Sequence, residues 1–168
     1  MARDHARIQV ARWHDDDFRA LQPDAQHMYD TILSQPGLSY AGVLDYIPSR
    51  LATLAKGNSA KRVTVSVEKL VVARFVVVDE ATAELLIRSF VRHDGVLART
   101  NMGKAVARAF GRIMSPKLRS AVVDELARAY NEGESHSGLS GFADINPDAM
   151  ADVIERAERI ASPMASGK

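Results

Sequence analysis

Apolar residues return at two different periods along this chain, and the switches between them mark its elements. From Pro23 onward, Ala25, Met28, Tyr29, Ile32 and Leu33 keep the 3.6-residue period until Gln35-Pro36-Gly37 breaks it. That pattern predicts a helix with Pro23 and Asp24 in its first turn. Upstream, Arg7 to Trp13 sets Ile8 and Val10 against Gln9 and Ala11, the two-residue rhythm of a short strand or extended arm. Asp15-Asp16-Asp17 ahead of Phe18 and Leu21 suits carboxylates at the positive start of a short helix. A divalent-cation site there has no partner ligand cluster in the sequence, and consecutive side chains diverge on a helix. Gly42 to Tyr46 reads as a short strand. Pro48 then starts a second helix, with Leu51 and Leu54 facing inward and Lys56-Gly57-Asn58 ending it.

Ser59 to Arg74 carries both rhythms: Val63, Val65 and Val67 alternate, while Val63, Val67, Leu70, Val71 and Arg74 keep helical spacing. The helix is preferred, because Ser59 or Thr64 can cap it, Glu68-Lys69-Leu70 favours helix, and a strand-like run follows at once. Phe75 to Val78 and Glu84 to Ile87 flank the polar stretch Asp79 to Ala83 and predict a hairpin. After Ser89 to Gly95, a helix from Met102 to Met114 buries Val106, Phe110 and Ile113. Ser115-Pro116 restarts another to Asn131, with Leu118, Val122, Leu126 and Tyr130 on its apolar side. Gly133 to Gly141 is rich in Gly and Ser and reads as a linker, and Asn146-Pro147-Asp148 caps an acidic helix through Ile160. Ser162 to Lys168 is expected to be disordered.

Helix, short strand, helix, helix, hairpin is the element order of a winged helix-turn-helix, whose third helix can enter the major groove while the hairpin wing touches backbone or minor groove. The expected fold is therefore α+β, mainly helical: a winged helix-turn-helix with two added helices after the wing and a C-terminal acidic helix. The expected segments are a winged-helix domain over 1–98, a helical extension over 99–131, a linker over 132–145, the acidic helix over 146–161 and a tail over 162–168.

Charge sharpens this picture only when taken in blocks. The 168 residues hold 22 Lys+Arg against 21 Asp+Glu, for a net charge of +1. Residues 1–45 carry a net −3, residues 50–120 a net +9 and residues 121–168 a net −5. A basic centre between acidic flanks is the form expected of a chain that meets a polyanion; chance segregation on a solvated surface is the alternative. With 0 Cys, disulfides, thiolate zinc sites and cysteine nucleophiles are excluded, which fits a reducing cytoplasm. No apolar stretch approaches the roughly 18 residues that span a bilayer. Met1 to Asp16 is charged where a signal peptide would be apolar. The expected location is the cytoplasm of a bacterial host cell, with no membrane association.

Three stretches also carry a family likeness: Ala6-Arg7-Ile8 through Trp13; Leu21-Gln22-Pro23-Asp24-Ala25-Gln26 with Tyr29; and Val77 through Gly95 (VVDEATAELLIRSFVRHDG). Together they resemble the amino-terminal winged-helix region of bacteriophage and prophage replication-initiation or replisome-organiser proteins, especially those of actinobacterial phages. The likeness covers roughly residues 6–131 and lies in strand, helix and hairpin residues. It implies binding to origin DNA or to replication partners. In that family a separate carboxy-terminal region usually recruits helicase machinery; residues 132–168 are shorter than that region, so helicase loading is not expected here.

The candidate DNA contacts follow from the helix order. Lys61, Arg62, Thr64, Ser66 and Lys69 lie at or just before the third helix, where cations reach guanine edges or phosphates and hydroxyls reach phosphates. Arg50 and Lys56 frame the second helix, whose usual role is to cross the backbone. Lys104, Arg108 and Arg112 fall at i, i+4 and i+8 on a face opposite Val106, Phe110 and Ile113. With Lys117 and Arg119 they form the densest positive stretch, since no acidic residue lies between Gly95 and Asp124. Arg88 and Arg92 follow the second wing strand and can touch backbone; His93 and Trp13 are read as structural. For each run of charges a solvated face is the competing reading, and for the Lys104 stripe so is a docking surface for Asp148, Asp152 and Glu155. Such docking would imitate DNA, and removal of residues 133–168 would then tighten binding.

Enzyme signatures fail individually. Gly103-Lys104-Ala105 lacks both the earlier Gly and the following Ser or Thr of a phosphate loop. There is no Gly-x-Ser-x-Gly and no His-Glu-x-x-His, and His5, His14, His27, His93 and His136 have no ligand spacing. No catalysis, cofactor or metal is expected. The expected partner is double-stranded DNA, with host or phage replication proteins as possible others. The alternatives are a phage interaction module for a host replication or transcription protein, and a transcriptional repressor. No heptad points to a dimer, so oligomeric state is open.

Overall fold

In the computed structural model, which describes residues 5–133 and 136–162, the chain is α+β and mainly helical, with a three-stranded antiparallel sheet. It divides into two units. The first comprises the chain up to Leu38 together with Val43–Ile87; the second takes Ser39–Gly42 and runs from Arg88 onward.

In the first unit, Asp15 caps helix α1 (Asp16–Ala20), its Oδ1 accepting from the backbone N–H groups of Asp17 at 2.9 Å and Phe18 at 3.3 Å. The acidic triplet is thus a helix start, as its position implied. Helix α2 (Pro23–Leu33) follows, then β1 (Val43–Asp45), α3 (Pro48–Ala52), α4 (Ala60–Val72), β2 (Val76–Asp79) and β3 (Glu84–Ile87). The sheet order is β1-β3-β2, with Leu86 paired to Val43 on one side and to Val77 on the other. Helix, strand, helix, helix and hairpin therefore occur in the expected order.

Helix α4 resolves the ambiguous stretch in favour of helix, because its apolar residues have a core to enter. Ser59 accepts from the Arg62 N–H at 3.3 Å, and Val63, Val67 and Leu70 are buried. At its C-terminal end, Arg74 takes a left-handed φ of 62°, so that its N–H reaches the Val71 carbonyl at 3.0 Å and the Phe75 N–H reaches that of Leu70 at 2.9 Å. That closure satisfies the terminal carbonyls and turns the chain into β2. Phe75 then joins Phe18 and Tyr29 in an edge-to-face cluster with centroid spacings of 5.8–5.9 Å.

Two expectations fail here. Arg7 to Trp13 is no strand: Val10–His14 forms a 3-10 turn, and Ile8 and Val10 are exposed. Arg12 holds this arm, pairing with Asp30 at 2.5 Å and lying 4.9 Å from the Trp13 and Phe18 rings. Leu54 is likewise exposed, because α3 ends at Ala52 before the residue can turn inward.

The second unit is helical among its described residues: α5 (Phe90–His93), α6 (Thr100–Phe110), α7 (Pro116–Glu132), α8 (His136–Ile145) and α9 (Pro147–Ala161). The linker expected over 132–145 is instead largely α8, and Phe142 at its centre is fully buried. Its glycines serve a crossing. A Cβ on Gly103 would stand 1.8 Å from the Gly138 carbonyl oxygen, one on Gly138 2.0 Å from that of Leu97, and one on Gly141 2.0 Å from that of Thr100. Composition alone resembles a linker, whereas the spacing lets the α6 and α8 backbones touch. The phosphate-loop likeness of Gly103-Lys104 has the same origin. Helix α6 stops at Phe110, short of Met114, leaving Arg112 beyond its end, and Tyr130 on α7 is partly exposed. The boundary between units falls after Ile87, earlier than the 98/99 division expected. Residues 163–168 of the expected tail lie outside the described residues.

Gly138→Ala and Gly103→Ala should each destabilise the protein by about 3 kcal/mol, because backbone cannot move aside as a side-chain tip can. Gly111→Ala, at φ −62° with no contact nearer than 3.6 Å, should be neutral or raise stability by up to about 0.5 kcal/mol. Thermal unfolding followed by circular dichroism compares the three.

Candidate nucleic-acid interface

The inward face of α4 dictates which residues its other side presents. With Val63, Val67 and Leu70 buried, Lys61, Val65, Glu68 and Val72 form the outward stripe at i, i+4, i+7 and i+11, and all four are exposed. Of the predicted contacts, Lys61 and Arg62 are exposed at the start of α4, with Arg62 Nη1 donating to the Gly57 carbonyl at 2.9 Å. Arg50 on α3 and Lys56 in the α3–α4 connection are exposed too.

Three others are occupied within the unit. Ser66 is buried and donates to Asp24 Oδ2 at 2.9 Å; Lys69 Nζ donates to the same oxygen at 2.7 Å and to Gln22 at 2.6 Å. Thr64 hydrogen-bonds the Tyr46 phenol, whose pKa burial nonetheless raises. Ser66 and Lys69 thus correct the expected list: they tie α4 to α2. The Lys69 ammonium, with help from Ser66 and against partial desolvation, holds the Asp24 carboxyl below its usual range. Val65 and Glu68 carry no positive charge and so stand outside the cationic candidates, although the period of the helix places both on the stripe.

In the second unit, Glu125 gathers arginines. It is 1% exposed, accepts from Arg92 Nε at 2.9 Å, pairs with Arg128, and has Arg88 Nε 4.0 Å away. Arg92 also reaches Glu132 at 2.7 Å. Arg92, expected to touch DNA backbone, therefore anchors α5 to α7, and Arg88 leans on the same carboxylate. Lys104 pairs with Asp144 of α8 at 3.1 Å. Arg119 lies 4.4 Å from the Phe110 ring and is half-buried. Arg108, Arg112 and Lys117 remain exposed, as does Arg99, which was not among the expected contacts.

Acidic groups are placed with equal consequence. The hairpin joining β2 and β3 carries Asp79 and Glu80, and Asp45, Glu84 and Asp79 share one register row across the sheet. The carboxylates of Asp79, half-buried, and Glu80, exposed, oppose the approach of phosphate to the tip. Helix α9 docks on α7 through Arg156, which donates to Asp124 at 2.7 Å and to the Ser120 carbonyl at 3.0 Å. Asp148, Asp152 and Glu155 point to solvent. The alternative reading, in which the acidic helix docks on the Lys104 stripe, is not what the contacts show: α9 packs on α7 with Arg156 on the Asp124 carboxylate.

Among the described residues no cluster of three or more His, Cys, Asp or Glu could hold a metal ion, and no helix is long and apolar enough to cross a membrane. No protein-family model, curated protein or solved structure matches the chain.

Two measurements check these assignments. Glu125→Gln should lower stability by about 2 kcal/mol, since it removes the buried carboxylate that Arg92, Arg128 and Arg88 share while Arg92 keeps Glu132, as urea unfolding will show. Asp24 binds its proton less readily folded than unfolded, so its contribution is complete above its ordinary value of 3.8 and fades as pH falls through the lowered folded value. For a half-exposed pair that contribution is below about 1 kcal/mol. The stability gap between wild type and Asp24→Asn should be open at neutral pH and close in acid.

Proposed function

We propose that the first unit is a winged helix-turn-helix module that binds double-stranded DNA, and that the protein acts without catalysis of its own in replication initiation or its control. One observation carries the reading: β1 lies beside β3 with α3 and α4 between them in the chain, and α4 leaves Lys61 and Arg62 exposed where it begins. In this architecture the N-terminal residues of the second helix of the pair meet base edges, while the first crosses the backbone. Arg50 and Lys56 supply phosphate contacts from α3 and the turn. Because the hairpin tip is acidic, contact falls to the helices and not to the wing. On the second unit, Arg99, Arg108, Arg112 and Lys117 offer a further phosphate surface. The role in replication, a phage origin and a place in the host cytoplasm rest on the sequence resemblance.

A second reading has its own support. Leu54, Val65 and Val72 are exposed apolar side chains in the α3–α4 region, and such a face suits a protein partner. Salt separates the two, since phosphate contacts weaken steeply as salt rises and an apolar interface does not.

Fluorescence anisotropy with labelled duplex DNA at low and moderate salt tests the proposal. Wild type should bind with a salt dependence of several phosphate contacts, and a variant carrying Arg50→Ala and Lys56→Ala should lose about two units of the log–log slope. Arg108→Ala with Arg112→Ala tests the second unit separately; Lys104 is left in place because its loss would strand Asp144. No binding to varied duplexes at low salt would overturn the reading in favour of a protein partner.

A further inference from the structure

The outward stripe of α4 is chemically mixed, and the mixture is informative. A helix that only gripped phosphate would carry cations along its exposed side. Here cations stop at Lys61 and Arg62, and the centre of the stripe holds Val65, 41% exposed, followed by the carboxylate of Glu68. Each of these fits one base edge in the major groove. A branched aliphatic side chain packs against the thymine C5 methyl, and a carboxylate accepts from the cytosine N4 amine while repelling the acceptor-rich edge of guanine. Spacing agrees: three helical residues rise about 4.5 Å, comparable with one base step of about 3.4 Å.

We infer that Val65 and Glu68 are specificity-determining residues of α4, Val65 reading a thymine methyl and Glu68 a cytosine amine at the same or a neighbouring base step. This rests on the DNA-binding reading above and deepens it, assigning selectivity to two residues that contribute nothing to phosphate affinity. Glu68 lowers affinity for DNA in general and restores it where a cytosine amine answers it. Lys61, about 6 Å earlier on the helix axis, extends the same track toward a purine or a phosphate.

Selection of bound duplexes from a random-sequence pool, followed by anisotropy on the enriched site, tests the inference. The enriched site should contain a thymine and a cytosine within two base steps. Replacing each thymine in turn by uracil, which removes only the methyl, should weaken wild-type binding about fourfold at one position, the equivalent of one buried methyl. The same replacement should leave Val65→Ala unaffected. Glu68→Gln should lose at least fivefold discrimination at the cytosine and bind random duplex more tightly than wild type. Both substitutions are at exposed helical positions, and circular dichroism checks that the fold is kept. Salt-sensitive binding with no enriched site, or with uracil and thymine equivalent throughout, overturns the inference and leaves the DNA-binding reading standing. Absence of DNA binding by wild type overturns both.

Discussion

Much of what the first unit can present to a partner depends on the burial of Val63, Val67 and Leu70 along one side of α4. Fully burying aliphatic side chains of this size is worth about 1.5–3 kcal/mol each, far more than any surface charge pair on the same helix. The helix therefore orients by its apolar side, and its polar residues take whatever positions remain. Ser66 is carried inward to Asp24, Lys69 is brought alongside the same carboxylate, and Lys61, Val65, Glu68 and Val72 are left outside. Ser59 at one end and the left-handed Arg74 at the other set the length over which this division holds.

In the second unit the corresponding constraint is backbone proximity. Gly103, Gly138 and Gly141 let α6 and α8 meet without intervening side chains. Phe142 of α8 is then buried edge-to-face against Phe110 of α6, with centroids 5.6 Å apart. Once α8 is in place, Asp144 finds Lys104 and Asn146 donates to the Ala107 carbonyl at 2.7 Å. A segment whose composition resembles a connector is thus part of the core.

Charge shows how composition and structure part company. The net +9 of residues 50–120 counts every cation equally, but the fold uses several of them internally. Arg92 is committed to Glu125 and Glu132, Lys69 to Asp24, Lys104 to Asp144, and Arg119 to the Phe110 ring. What is left exposed is a smaller set on each unit, and it is this set that bears on binding. The buried Glu125 makes the point most sharply, because two of its partners, Arg92 and Arg88, lie 33 and 37 residues upstream and no local pattern announces those pairings.

The helices of Pro23, Pro48, Pro116 and Pro147 and the hairpin of Val76 to Ile87 were legible from the chain alone, because caps, prolines and apolar period act over a few residues and need no distant partner; the helix of Ser59, whose valines also fit a strand, was favoured by its cap and settled by the core that Val63, Val67 and Leu70 enter. Their order along the chain was legible for the same reason. Tertiary structure decided the rest. Whether Ile8 and Val10 found a strand partner, whether glycines served a loop or a helix crossing, and which cations were exposed all depend on atoms far away in sequence. Sequence determines each element's inventory of side chains and their spacing; only packing, which places one apolar face against another, decides which of those side chains remain at the surface to act.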